Sequence, residues 1–240
     1  MTPYTPHIWF LPHREYGDRP CLAYIRGRCD ALLVDAGNSP AHARLLLDAL
    51  HRMGAPAPRF IALTHGHWDH CFGLPAFPQA LSFATAETNR QLHRLAAWRW
   101  DDASMKARVR SGEEIPFCHV NIKREYPDRS QIRVEAAQVA LQGPAAIDLG
   151  GLCCRLIPLE NCHLPGHLVV SIPQDRALIL GDILCPDYRC TPPRYTAEGL
   201  SRLIAGLEAL DFDTALPGHN APMTRAALFA DLHEALCRCR

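Results

Sequence analysis

The residues best suited to chemistry lie in one short segment, Thr64-His65-Gly66-His67-Trp68-Asp69-His70. It contains three of the chain's 13 histidines together with a carboxylate. Imidazole and carboxylate groups are the ligands that zinc and similar divalent ions take in hydrolytic sites. A plain surface run of histidines is more typical of a terminus, whereas this segment directly follows the apolar residues 60–63. We therefore predict a metal site that contains His65, His67, Asp69 and His70.

This cluster must follow the end of a strand, and that strand must belong to a sheet. Residues 59–64 are typical of a buried strand, and they follow a helix that Ser39 can cap, that begins at Pro40 and that Gly54 stops. We predict further strands at 8–11, 21–26, 31–35, near 139, and at 152–157, 168–172, 177–180 and 214–216, with helices at 196–210 and from about 224. Runs of strands separated by helices, twice over, predict an α/β sandwich with the sheets inside.

The stretch from about residue 85 to 133, here called the insert, is the hardest to interpret. Residues 85–110 have a polar helical pattern, and little regular structure is indicated beyond them. The separation between His70 and His163 is longer than a few core strands require. Within a single domain, 1–240, we expect the insert to be a helical lid or wall that contacts substrate through Trp98, Trp100 and Phe117. The alternative is that the tryptophans only anchor a solvated helix.

In the order of its motifs the chain resembles the metallo-β-lactamase superfamily, whose His-x-His-x-Asp-His loop is followed by a lone His, a lone Asp and a last His. The later motifs match Cys162-His163-Leu164-Pro165-Gly166, Leu180-Gly181-Asp182 and Leu216-Pro217-Gly218-His219. Upstream, Asp35-Ala36-Gly37 resembles an element that supports the site without binding metal. The resemblance spans about residues 21–223. It implies an αββα sandwich in which helices flank two mixed β-sheets.

The same resemblance implies a site for two divalent metal ions. His65, His67 and His163 would hold one ion, Asp69, His70 and His219 the other, and Asp182 would bridge them. Taken singly, His163 and His219 could be ordinary loop histidines and Asp182 a turn or cap residue, but the series of motifs favours ligands. Zinc is the ion we expect, with iron or manganese as alternatives.

The third ligand of the first ion has two candidates, because Leu-Pro-Gly-His occurs twice, ending at His167 and at His219. In many family members that ligand ends a Pro-Gly-His triplet, which would favour His167. The family also often continues from the ligand as His-x-Pro-Gly-Ser before a strand, which favours His163 and puts His167 in the place of the serine. We predict His163. His167 would then contact substrate or pack.

The resemblance implies a hydrolase in which a hydroxide shared by the two ions attacks the substrate, with Asp69 and Asp182 as the catalytic carboxylates. We expect it to cleave an ester, thioester or lactone-type bond of a small molecule. A phosphodiesterase or nuclease on the same site is the alternative, supported by arginines at 90–110 and 123–133. An iron-containing redox protein is a third reading, although family members of that kind have a Glu in the cluster and a flavin domain. A protein that uses metal for folding or sensing would have a closed site of about four ligands, whereas seven candidates leave room for water.

The composition indicates which classes of partner and which cellular compartment to expect. The 25 basic and 25 acidic residues cancel, so no overall field attracts nucleic acid or an anionic membrane, and we expect a small-molecule substrate. The 11 cysteines are odd in number and irregularly spaced, which is typical of reduced thiols and a cytoplasmic protein. No run approaches the roughly 18 apolar residues of a membrane span. The sequence does not indicate an oligomeric state.

Overall fold

The computed structural model describes residues 1–239 and leaves Arg240 outside the described part. Its strands form two mixed sheets. The first sheet contains, in spatial order, β1 (Thr2–Thr5), β2 (Ile8–Leu11), β3 (Leu22–Arg26), β4 (Ala31–Val34), β5 (Phe60–Ala62), β6 (Leu81–Thr85) and β7 (Val139–Leu141). Neighbours are antiparallel from β1 to β4 and parallel from β4 to β7.

The second sheet is built from the C-terminal half of the chain. Its spatial order is β13 (Met223–Thr224), β12 (Thr214–Pro217), β11 (Ala177–Gly181), β10 (Leu168–Ile172), β9 (Cys153–Pro158) and β8 (Ala145–Asp148). β11 and β12 are parallel, and the other neighbours are antiparallel.

The helices lie outside the two sheets. They are α1 (Pro40–Arg52), α2 (Trp68–Cys71), α3 (Ala86–Ala96), α4 (Asp102–Ser111), α5 (Pro116–Glu125), α6 (Ala197–Glu208) and α7 (Arg225–Arg238). Within residues 1–239, no helix has the length and hydropathy required to cross a bilayer.

Alternation along the strands produces three apolar layers. In β4, Leu32 and Val34 point between the sheets, whereas Leu33 points outward to the cluster that includes α1 and the insert. In β10, Val170 belongs to the layer between the sheets and Val169 to the outer layer with α6 and α7. Because neighbouring side chains on a strand face opposite sides, one strand can serve two layers. The predicted αββα sandwich is confirmed.

Most predicted strands and helices are present within a few residues of their expected bounds. α5 was not predicted, and the structure explains why. Few of its side chains are buried, chiefly Asn121 and Ile122, so the helix lacks an apolar stripe that a periodicity search can detect. Pro116 at its first position suits a helix start. The short strands β1, β6, β8 and β13 also escaped prediction.

The ends of four strands meet at one edge of the sandwich. β4 and β5 are parallel neighbours in the first sheet, and β11 and β12 are parallel neighbours in the second. The two sheets are joined at this edge by a hydrogen bond from the Leu168 amide to the Thr64 carbonyl, at 2.8 Å. The loops that leave these strands therefore converge, and they carry Asp35, the histidine cluster, Asp182 and His219.

Candidate metal centre

The seven predicted ligands lie together in two groups at this edge. The first group contains His65, His67 and His163, and the second contains Asp69, His70, Asp182 and His219. Within each group the candidate ligand atoms all lie within 4.8 Å of one another. The structure thus brings every predicted ligand to one of the two groups and leaves His167 outside both.

Hydrogen bonds orient the histidines of the first group. The Thr64 hydroxyl donates to Asp35, so it can accept from His65 Nδ1, which lies 3.0 Å away. His163 Nδ1 donates to the carbonyl of Pro186 at 3.0 Å. Each bond fixes the proton on Nδ1 and leaves the lone pair on Nε2 free to coordinate a metal.

The free nitrogens of this group face one another. His163 Nε2 lies 3.0 Å from His67 Nδ1. The buried Nε2 of His65 has no hydrogen-bond partner in the described structure. Buried nitrogen lone pairs without a donor are costly unless a cation binds between them. The group therefore fits a divalent metal ion.

In the second group, a hydrogen bond to Asp35 orients His70. His70 Nδ1 donates to Asp35 Oδ2 at 2.7 Å, and its Nε2 lies 3.2 Å from Asp69 Oδ2 and 3.4 Å from Asp182 Oδ1. His219 Nε2 lies 3.1 Å from Asp69 Oδ2. Asp35 itself adopts a left-handed φ of 62°, and it also accepts a 2.7 Å hydrogen bond from the Thr64 amide.

Asp182 belongs to the second group and also approaches the first. Its Oδ2 is 3.3 Å from His219 Nε2 and 4.0 Å from His163 Nε2, and its Oδ1 has no hydrogen-bond donor among the described residues. One carboxylate can thus serve both groups. This is the position that the sequence assigned to a bridging ligand.

The electrostatics differ between the groups in a way that suits metal binding. Burial lowers the pKa of His65 well below its usual value and, with His163 beside it, lowers the pKa of His67 to about 3, so both rings are neutral. Burial would also lower the pKa of His219, but Asp182 and Asp69 outweigh it and raise the pKa to about 10. The carboxylates of the second group therefore attract positive charge, which bound divalent ions would supply.

His167 packs against one of the candidate ligands, His65. Its ring stacks on that of His65 with centroids 4.6 Å apart and planes 9° apart, and its Nε2 donates to the Leu180 carbonyl at 2.9 Å. The residue is fully buried, so of the two roles predicted for it the structure favours packing.

Two residues near His219 were missed by sequence reasoning. Asp18 Oδ1 lies 3.4 Å from His219 Nδ1, and His13 Nδ1 lies 3.2 Å from the same nitrogen. Both belong to the loop between β2 and β3. The Gly17-Asp18 pair signals a turn, and Asp18 has a left-handed φ of 53°, but nothing local in the sequence places this turn over the second group.

The candidate metal centre opens onto a cavity of about 660 Å³. Candidate ligands form part of its lining, and the insert contributes another part through residues of α3, the loop before α5, and α5 itself. This is the placement expected of a wall or lid. A site that opens onto such a cavity differs from a closed structural zinc site.

Comparison with known proteins identifies the family. The model of the metallo-β-lactamase superfamily matches residues 16–219. The chain belongs to this superfamily. The match includes all seven candidate ligands, and membership supports a metal-dependent hydrolase without identifying the metal.

Individual relatives are distant. The chain is 28% identical over 238 residues to a hydroxyacylglutathione hydrolase of Anaeromyxobacter dehalogenans (strain 2CP-C), covering 95% of this chain and 72% of the relative. A metallo-β-lactamase from Pontibacter korlensis superposes with a TM-score of 0.64 at 14% identity, covering 100% of this chain and 98% of the other. A metallo-β-lactamase family protein from Thermus thermophilus gives 0.66 at 20% identity, with coverages of 97% and 79%. The two solved structures show that the fold is shared.

Proposed function

We propose that this protein is a dinuclear metal-dependent hydrolase that cleaves the ester, thioester or lactone bond of a small molecule, with thioesters as the first class to test. The observation that carries this proposal is a pair of ligand groups that both lie close to Asp182 and open onto one cavity. One tetrahedral ion uses only about four ligands, so two neighbouring groups of ligands indicate two ions. Two neighbouring divalent ions are typical of hydrolytic centres.

Two divalent ions, when bound, would acidify a water molecule into a hydroxide nucleophile and polarise the scissile carbonyl. The protein's own part begins with Asp69, which lines the cavity. Burial would raise the pKa of Asp69, but His70 and His219 outweigh it and hold the pKa below its usual value. Asp69 is therefore ionised at neutral pH and can accept a hydrogen bond from the attacking water, which fixes the direction of attack.

The ease with which the leaving group departs favours a thioester over an amide as the substrate. A thiol has a pKa of about 8.5, so a thiolate can depart without a proton donor, whereas an amine must be protonated as it leaves. The relative named as a hydroxyacylglutathione hydrolase, a thioester hydrolase, supports the same choice.

Charge around the cavity does not favour a phosphodiesterase. Arg94 and Arg189 are the arginines that line it, and they are outnumbered by the acidic side chains of the lining, which outside the ligand groups are Asp18, Glu113, Glu114 and Asp187. The arginines at 99, 129 and 133 line a separate cavity of about 650 Å³ on the insert. A polyanionic substrate would need a run of cationic side chains leading to the metal centre.

A substrate panel tests the proposal. The zinc-loaded protein is assayed against matched thioester, lactone, β-lactam and phosphodiester substrates, with Asp182→Ala as the inactive control and circular dichroism to check its folding. We expect hydrolysis of the thioester or lactone, lost in the control by at least about 100-fold. Faster turnover of the phosphodiester, or equal rates in the control, would contradict the proposal.

A further inference from the structure

The cavity above the metal centre has an apolar wall that the proposed chemistry does not require. Its apolar lining includes Leu95, Trp98, Trp100, Ile115, Phe117 and Tyr188. Phe117 and Tyr188 are 56% and 42% exposed, which is unusual for side chains of this size. Large exposed apolar side chains that face one cavity are typical of a ligand-binding surface.

The tryptophan part of this wall is rigidly held. The guanidinium of Arg108 lies 4.3 Å from the Trp98 ring and 5.0 Å from the Trp100 ring, and its Nη1 donates to the Arg99 carbonyl at 2.9 Å. Trp100 also packs edge-to-face on Phe72, with centroids 5.3 Å apart. Because these contacts exist before a ligand arrives, binding would cost little side-chain ordering.

The apolar surface extends to the metal centre. The Tyr188 ring lies 5.7 Å from the ring of the candidate ligand His163, with the planes at 87°. Phe117 lies in the first turn of α5, on the insert. A chain attached to the reacting carbonyl could therefore contact aromatic side chains from its first atoms onward.

The two arginines of the cavity already have partners. Arg189 Nε lies 3.2 Å from Asp187 Oδ1, and the Arg94 guanidinium lies 5.5 Å from the Trp98 ring. These contacts occupy the cationic groups that would otherwise attract an anionic substituent of the substrate.

We propose that this wall binds an extended apolar substituent of the substrate, an alkyl or aryl chain attached to the thioester, and that Phe117 and Tyr188 are specificity-determining residues. This inference rests on the proposed thioesterase function. It assigns the recognition of chain length to the insert together with the loop after β11 that carries Tyr188. The apolar chain could lie on the acyl side or on the thiol side of the scissile bond, and the experiment separates the two.

Two homologous series of substrates test the inference in the zinc-loaded protein. One series carries acyl chains of two to eight carbons on one small polar thiol, and the other carries an acetyl group on alkyl thiols of the same lengths. In one series we expect kcat/KM to rise by about fourfold per methylene, the factor that corresponds to burial of one CH₂ group. A flat profile in both series, with turnover present, would overturn the inference and leave the proposed function intact.

Two variants on α5 locate the effect. Phe117→Ala removes an exposed ring from the cavity wall, and Val120→Ala shortens a side chain that is 44% exposed on the same helix but is not among the cavity-lining residues. We expect Phe117→Ala to lower kcat/KM for the eight-carbon substrate by about tenfold, with little change for the two-carbon substrate. Val120→Ala should behave as wild type. Equal losses for long and short chains in Phe117→Ala would refute a role in chain recognition.

A binding experiment separates this inference from the thioesterase proposal. The zinc-loaded protein is titrated with octyl and ethyl thioethers of the same polar thiol, which cannot be hydrolysed, and tryptophan fluorescence reports binding. We expect the octyl compound to bind at least tenfold more tightly, with the preference reduced in Phe117→Ala. If no thioester is hydrolysed but this preference is present, the thioesterase proposal fails and the apolar site stands. If the two compounds bind equally, the apolar site fails.

Discussion

Replacing His163 and His167 separately with alanine tests which histidine completes the first ligand group. His163 Nε2 faces His67 Nδ1, whereas His167 stacks on His65 and donates to the Leu180 carbonyl. We expect His163→Ala to weaken binding of one ion by more than about 100-fold, beyond the 10–100-fold cost of losing a supporting contact. His167→Ala should retain two ions.

The two variants should also differ in stability. His167→Ala removes a fully buried ring and one hydrogen bond. The hydrogen bond contributes about 1 kcal/mol, and the cavity left by the ring adds about 2 kcal/mol, so the free energy of unfolding should fall by about 3 kcal/mol. His167→Phe keeps a ring to stack on His65 and should recover part of this loss.

Metal content after dialysis against zinc buffered with a chelator, together with urea unfolding, measures both quantities. Comparing the variants at the same free zinc concentration is essential, because bound metal itself stabilises the folded state. Loss of an ion in His167→Ala, with two ions retained in His163→Ala, would move the ligand by four residues and refute the assignment.

Three further variants and one control variant test the contacts that support the centre and the fold. A Cβ on Gly218 would lie 2.2 Å from Asp182 Oδ1, so Gly218→Ala should lower metal content by displacing that carboxylate, whereas Gly143→Ala, with nothing within 4 Å, should not. Asp35→Asn keeps a residue that tolerates the left-handed backbone conformation, but it weakens the acceptor that orients His70. Zinc affinity, measured by competition with a chelator, should therefore fall about 10- to 100-fold. Burial would raise the pKa of Asp175, but hydrogen bonds from the β1–β2 hairpin outweigh it and lower the pKa. Its contribution to stability is therefore present above about pH 4 and lost as the pH falls, and Asp175→Asn should lower the urea midpoint more at pH 7 than at pH 3.

The ligands could be predicted because they occur in short motifs at strand ends. The cluster from His65 to His70 is recognisable by itself, since three imidazoles and a carboxylate within six positions after a buried strand are typical of a metal site. His163, Asp182 and His219 are ordinary residues in isolation, and only the order of the family's motifs made them candidates. The strands between these motifs were predictable because they are short apolar runs bounded by turn residues, and β10 and β11 are buried at every position.

The contacts around the ligands could not be predicted in the same way. Asp18 reaches His219 only because the β2–β3 loop crosses the edge of the sandwich, and that path depends on packing between distant segments. α5 buries few side chains and so lacks an apolar stripe that a periodicity search can detect. The supporting bond from His65 to Thr64 links adjacent residues, yet its direction depends on Asp35, which lies in an earlier loop.

The insert is more closely tied to the metal centre than its position between β6 and β7 suggests. Glu125, the last residue of α5, is almost fully buried and forms a bidentate ion pair with Arg19, with distances of 3.0 and 2.8 Å. The Ser39 hydroxyl, which also caps α1, donates to the same carboxylate. Arg19 follows directly after Asp18, which faces His219. A buried ion pair is costly to break because it leaves an unpaired charge, so the end of α5 and the loop beside the second ligand group should move together. The helix that carries Phe117 at the cavity is thus also bonded to the loop that contacts His219. The proposed site for the substrate chain and the candidate metal site therefore depend on the same ion pair.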